Sequence, residues 1–222
     1  MNIIEYADRE LLAMGLANVL AGSLKNALLG NDFVSFAVPG GTTPGPIFDM
    51  LSATELDWDR VHVLLSDERW VPESDEQSNA RLVRAHLLTG PAGAARFIPY
   101  YREGMSPAEG CAAVNPTLDD ELPLSLLLLG MGGDMHTASL FPGAKGLDAA
   151  LASDAPTLCP IEPDGEVSRV TLSAPALRDA MEKHLVIYGD DKRAALEKAG
   201  DLSPEEAPIA AVWDDLEVHW AA

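Results

Sequence analysis

Cations are scarce in this chain: 15 lysines and arginines stand against 35 aspartates and glutamates, for a formal net charge of −20 over 222 residues. So acidic a surface repels polyanions, which excludes a nucleic-acid or anionic-membrane partner and argues for a soluble protein. Any anionic substrate then needs a local basic pocket. Cysteine is nearly missing: Cys111 and Cys159 cannot form a disulfide framework in a chain of this length. With no CxxC and no Cys/His cluster, neither a metal nor a cofactor is expected, and a reducing cytoplasm is the expected compartment. The opening MNIIEYADRE lacks the basic segment and apolar run of a secretion signal. The longest early uncharged stretch, Leu11 to Leu24, is shorter than the ~20 residues that span a bilayer and contains Gly15, Asn18 and Gly22. Three catalytic signatures are lacking as well. No glycine loop ends in GKS or GKT, Met135 stands at the third glycine position of a dinucleotide fingerprint begun by Gly130 and Gly132, and no GxSxG elbow occurs.

What is present is alternation. The chain is 47% hydrophobic and long enough for one large core, so a single domain over residues 1–222 is expected, as a monomer or small homo-oligomer. Leu12, Leu16, Leu20, Leu24 and Leu28 describe one face of a helix closing near Gly30. A strand over Phe33–Val38 follows, then a glycine loop and a helix carrying Ile47, Met50 and Leu51. The pattern repeats with a strand over Val61–Leu65, a loop at Ser66–Arg69 and a helix over Ser78–Leu88 with Leu82, Val83 and Leu87 inward. Ser106, Pro107 and Glu109 form a capping box that starts a helix toward Leu118. The apolar run Leu124–Leu129 reads as a strand covered on both faces. Later come an irregular Asp154–Gly165 segment, a strand over Arg169–Leu172, a short helix from Pro175 and a strand over His184–Tyr188. Asp190 is placed to cap a helix ending at Gly200, and Ala210–Trp213 and Glu217–Trp220 read as short edge strands. Strands alternating with helices predict an α/β fold: an open, mostly parallel sheet with helices on both faces.

Ligand-binding loops of such sheets lie at the carboxyl ends of the strands. Gly40, Gly41, Thr42 and Thr43 occupy one such end, where backbone N–H groups and hydroxyls can converge on an anion. Alone, the segment is equally a tight turn. Asp67, Glu68 and Arg69, with Asn79 further on, occupy another, and could bind sugar hydroxyls. DER runs are common as solvated salt bridges, but the position behind a buried strand adds functional weight. The third loop, Gly130-Met131-Gly132-Gly133-Asp134-Met135-His136, brings an acid and a histidine to a strand end. Thr137, Ala138, Ser139 and Leu140 can continue it as a helix whose N-terminus favours negative charge. His62, His86, His184 and His219 lie in strand or helix patterns, read as structural, and show no metal spacing. Arg169 and Lys192, at the starts of a late strand and a late helix, are candidate anion ligands in a chain with so few cations.

Together VPGGTTP, SDERWVP with Ser78-Asn79, LGMGGDMHTASLFP and the strand bearing Arg169 closely resemble the 6-phosphogluconolactonase family, hydrolases of the oxidative pentose phosphate pathway. The match spans Val38 to about Lys198. The resemblance implies a sheet fold shared with glucosamine-6-phosphate deaminases and ribose-5-phosphate isomerases. It also implies a sugar-phosphate lactone as substrate. The phosphate is placed near Gly41, Thr42, Thr43 and Arg169, with Lys192 added by analogy with the deaminases. His136 becomes the base, oriented by Asp134, with glycine-loop donors or Arg69 available to the oxyanion. The family's commoner central form is DGH, and this chain carries Met135 at the glycine position. Deaminases typically carry a histidine block resembling GHIAFNEP, which HTASLFP does not match. A sugar-phosphate sensor without turnover is the non-enzymatic alternative.

Overall fold

A computed structural model describes residues 2–222; Met1, at the head of the expected domain, lies outside the described residues. The chain runs β1 (Asn2–Glu5), α1 (Arg9–Leu28), β2 (Val34–Val38), α2 (Gly45–Ser52), β3 (Val61–Leu65), β4 (Asp67–Arg69), α3 (Asn79–His86) and β5 (Arg96–Phe97). It continues through α4 (Pro107–Asp119), β6 (Leu126–Gly130), α5 (Leu147–Leu151), β7 (Leu158–Ile161), β8 (Arg169–Leu172), α6 (Ala174–Arg178), β9 (Lys183–Tyr188), α7 (Asp190–Ala199) and β10 (Leu216–Ala221). Seven strands form one parallel sheet in the order β1-β10-β9-β6-β2-β3-β5. The α/β architecture with a mostly parallel sheet is the one expected. From β2 the chain winds outward through β3 to β5, then crosses back to β6 and winds the other way through β9. Strand order therefore reverses between β2 and β6, and a crevice opens there beyond the carboxyl ends.

Helix α1 follows from its sequence. Asp8 caps it by accepting from the Leu11 N–H at 2.8 Å, and Leu12, Leu16, Leu20, Leu24 and Leu28 are all buried. At 20 residues it is long and apolar enough, by length and composition, to cross a membrane. Its leucine stripe is instead packed beside β2, β6 and β10 and against α2, as in a core helix. The capping box at α4 forms as read, with Ser106 and Glu109 bonding reciprocally.

Several expectations are corrected. Ser66–Arg69 is no plain loop: Asp67–Arg69 is β4 of a second, antiparallel sheet, β4-β8-β7. The segment read as irregular supplies its outer strand, Leu158–Ile161. Thr137–Leu140 is not helical. Met135 (φ 65°) and Ala138 (φ 49°) are left-handed, Thr137 Oγ1 donates to the Gly130 carbonyl at 2.9 Å, and Thr137 pairs with Leu140 across a tight turn. Ala210–Trp213 is not a strand, because Pro208–Val212 coils into a 3₁₀ turn. The strand at Glu217–Trp220 is not an edge, since β1, unforeseen, pairs along its outer side. Gly189 rather than Asp190 precedes the first turn of α7. Leu82 is only partly buried, whereas Val83 and Leu87 are core.

Leu20→Ala leaves a hole under a fully buried position and should cost about 2–5 kcal/mol in denaturant unfolding. Leu11→Ala, on the exposed face of the same helix, should stay within about 0.5 kcal/mol.

Candidate active site

At the reversal point the loops after β2, β6 and β4 surround a cavity of about 270 Å³. Its walls include Gly40, Gly41, Thr42 and Thr43 on one side and Gly130, Gly132 and His136 on the other. Asp67, Arg69, Asn79, Arg169 and Lys192 also line it, so ten of the twelve residues singled out in the sequence reach this one cleft. Among the described residues, the backbone N–H groups of residues 40–43 have no partner within the chain, and Gly41 turns with φ 82°. Unpaired donors converging beside the N-terminus of α2 suit an anion.

His136 owes its pose to a side chain two residues back. Its Nδ1 lies 2.5 Å from Asp134 Oδ1, and its backbone N–H reaches the same oxygen at 3.3 Å. Asp134 does not line the cavity; it stands behind the imidazole. Burial alone would raise the Asp134 carboxyl, but the hydrogen bonds and charge of His136 outweigh it and hold the pKa below the usual range. An ionised carboxylate at Nδ1 keeps the proton on that nitrogen and leaves Nε2 as the acceptor. Gly132 makes the pose possible. A Cβ there would fall 2.2 Å from His136 Nδ1 and 2.5 Å from Asp134 Oδ1. Phe141 supports the other face, its ring centroid 4.2 Å from that of His136.

The cleft's cations are Arg69, Arg169 and Lys192. Antiparallel pairing of β4 with β8 sets Arg69 directly opposite Arg169. The Arg169 guanidinium stacks 4.9 Å over Phe141, pairs with Glu166, and keeps a buried Nε with no partner. Arg69 donates to Asn79 Oδ1 and to the Gln77 carbonyl. Burial pulls the Lys192 pKa down, and Asp134 pulls the other way. Three cations lining one cleft supply the local positive field that a protein of net charge −20 otherwise lacks.

Glu68 is not in the cleft. It is 1% exposed and accepts the N–H groups of Arg69 (2.8 Å), Asn79 (2.7 Å) and Ala80 (2.8 Å) and the Ser78 hydroxyl, tying β4 to the start of α3. Its expected place among the sugar-binding residues is corrected: side chains alternate along a strand, and this one points inward. Asp67 reaches the cleft but is held from behind by hydrogen bonds from Ser66 and Ser139. The Ser139 backbone N–H in turn donates to Thr171 Oγ1 at 3.2 Å. Gly40 lies so close to Asn79 that a Cβ would sit 1.8 Å from Asn79 Oδ1. Sequence reasoning did not single out Phe141 or Ser139. Both lie in the quoted block around His136, but their partners Arg169, Asp67 and Thr171 are distant in the chain.

Fold and cleft together define an open parallel-sheet α/β enzyme with a cationic pocket at its switch point and a carboxylate-oriented histidine. Residues 7–220 match the family model described as glucosamine-6-phosphate isomerases/6-phosphogluconolactonase. The chain is 41% identical to a 6-phosphogluconolactonase of Pseudomonas aeruginosa, covering 94% of this chain and 90% of that one. It is 39% identical to one of Caulobacter vibrioides, covering 93% and 90%. The crystal structure of a 6-phosphogluconolactonase from Shewanella baltica superposes with a TM-score of 0.95 at 30% identity, over 100% of this chain and 98% of that one. This chain belongs to the glucosamine-6-phosphate isomerase/6-phosphogluconolactonase family.

Burial pushes the Glu68 carboxyl from 4.5 up to about 6, against the backbone donors that favour its charge. With the folded pKa above the unfolded one, its contribution is fully present below pH 4.5 and lost as pH rises through 6. Glu68→Gln should cost about 1–3 kcal/mol at neutral pH, because an amide NH₂ cannot accept those donors. The gap between wild type and variant should widen by about 1 kcal/mol on going from pH 6 to 4.5 in urea titrations.

Proposed function

We propose that this protein hydrolyses 6-phospho-D-glucono-1,5-lactone to 6-phospho-D-gluconate, as its relatives' names imply. The observation that carries the reading is that His136, oriented by Asp134, lines one cleft together with Arg169 and Lys192. The substrate's phosphate binds Arg169, Lys192 and the free N–H groups of the Gly40–Thr43 loop. It replaces Glu166 as the partner of the Arg169 guanidinium and fills its unpaired donor. Arg69, Asn79 and Asp67 take the sugar hydroxyls.

His136 Nε2 accepts a proton from water as the water oxygen bonds to the lactone carbonyl carbon. Asp134 holds the tautomer and stabilises the imidazolium that forms. Negative charge gathers on the former carbonyl oxygen, where Arg69 stabilises it. The intermediate collapses by breaking the bond to the ring oxygen, which takes the proton back from His136. Water is consumed, the ring opens to a carboxylic acid and hydroxyl, and the acid ionises. In this reading residues 1–222 act as one domain on a small molecule in the cytoplasm, with no cofactor and no nucleic-acid or membrane partner.

Freshly generated lactone should disappear faster with purified protein than by spontaneous hydrolysis, measured through the next dehydrogenase step. No acceleration by the folded wild type overturns the reading, and ammonia release from glucosamine 6-phosphate would replace it with a deaminase. His136→Ala should lower kcat by about 10²–10⁴-fold with little change in KM. Gly132→Ala, whose methyl displaces the same ring, should cost about 10²-fold in kcat with the fold retained. Arg169→Ala should act chiefly on KM, raising it by about tenfold or more, since a charge-assisted bond to phosphate contributes about 1.5–3 kcal/mol.

A further inference from the structure

Away from the cleft, in the interior of the sheet, three ligand-type side chains meet that the reaction does not use. In the β9/β10 ladder His184 stands opposite Glu217, and His219 lies two residues beyond Glu217 on the same face. His184 Nδ1 is 3.1 Å from His219 Nε2 and 3.4 Å from Glu217 Oε2, which is 3.8 Å from His219 Nε2. A tetrahedral zinc ion with bonds of ~2.0–2.1 Å holds its donors about 3.3 Å apart. The observed triangle brackets that spacing, so an ion fits with shifts of a few tenths of an ångström.

The outward nitrogens are supported as metal-bound imidazoles usually are. His184 Nε2 is 2.9 Å from Glu182 Oε1, itself bonded by Ser23, and His219 Nδ1 is 2.9 Å from the Tyr6 hydroxyl. A carboxylate behind His184 keeps its proton on Nε2 and its Nδ1 lone pair free. Both histidines are buried, whereas the Glu217 side chain is 35% exposed, so an ion can enter past the carboxylate and water can complete its coordination.

We propose that His184, Glu217 and His219 form a zinc site, separate from the catalytic cleft, that staples β10 to β9. Two imidazoles and one carboxylate select zinc over magnesium or calcium, which prefer all-oxygen shells. Without metal, His219 Nε2–H donates to His184 Nδ1 while Tyr6 donates to His219 Nδ1. On binding, the His219 proton moves to Nδ1 and is donated to the Tyr6 oxygen. Both rings stay neutral, and no proton is lost from the pair.

Chelator-stripped protein titrated with Zn²⁺ alone by calorimetry, and with Co²⁺ alone by visible absorption, tests this. Expected are one equivalent bound, the intense d–d bands of tetrahedral cobalt and a raised unfolding temperature. Glu217→Gln, at a partly exposed position, should weaken the affinity by about tenfold or more. His136→Ala should leave it unchanged, which distinguishes this site from the His136–Asp134 pair. No saturable binding overturns the proposal, as does binding that survives Glu217→Gln or disappears in His136→Ala.

Discussion

The reversal of strand order between β2 and β6 is the constraint on which the rest of this molecule depends. Neighbouring parallel strands send their connections to opposite sides only there, leaving a gap beyond their carboxyl ends that no crossover fills. The loops at Gly40 and Gly130 flank that gap. The buried strands beneath, Val34–Val38 and Leu126–Gly130, make the loops a rigid rim. One loop presents unpaired N–H groups and the other a histidine, and topology brings the two to the same cleft.

A second layer converts that rim into a defined geometry. The small antiparallel sheet carries Arg169 to the cleft by pairing β8 with β4, whose register sets Arg69 beside it. Two like charges side by side in a protein interior are costly, and the surroundings offset the cost. Arg69 is bound to Asn79, and Arg169 lies over Phe141 against Glu166. Glu68 and Asp67, held by backbone donors and hydroxyls, anchor the same strand from behind. Glu68 thereby contributes position rather than a place in the cleft, whereas Asp67 is held in place where it lines the cleft.

Close approach shapes the rest of the site. Gly132 admits the His136 ring and Asp134, and Gly40 admits the Asn79 amide. In the loop bearing His136, Met135 and Ala138 adopt left-handed backbone, as Asp215 does near the start of β10. Met135 thus keeps a conformation that glycine adopts readily. At His184 and His219 the approach is between side chains. Burial, and then the neighbouring His184, push the His219 pKa down to about 3, so the ring stays neutral within the core.

Local pattern carried much of this protein into its sequence. A leucine every fourth residue, a capping box and continuous apolar runs specify α1, α4, β2, β3 and β6, because helix and strand periods are properties of neighbouring residues. The ordered blocks around Gly40, Asp67 and His136 likewise carried the family, and with it ten of the cleft's residues. Long-range pairing decided the remainder. Only the β4–β8 register turns Glu68 inward and Arg69 toward Arg169, and only β1 docking outside β10 makes the last strand interior. Thr137–Leu140 has residues that allow a helix, yet contacts to Gly130, Asp67 and Thr171 bend it into a turn. His184 and His219 are 35 residues apart and meet across a ladder. Periodicity records which face of an element is apolar; which element that face meets is settled only when the sheet closes.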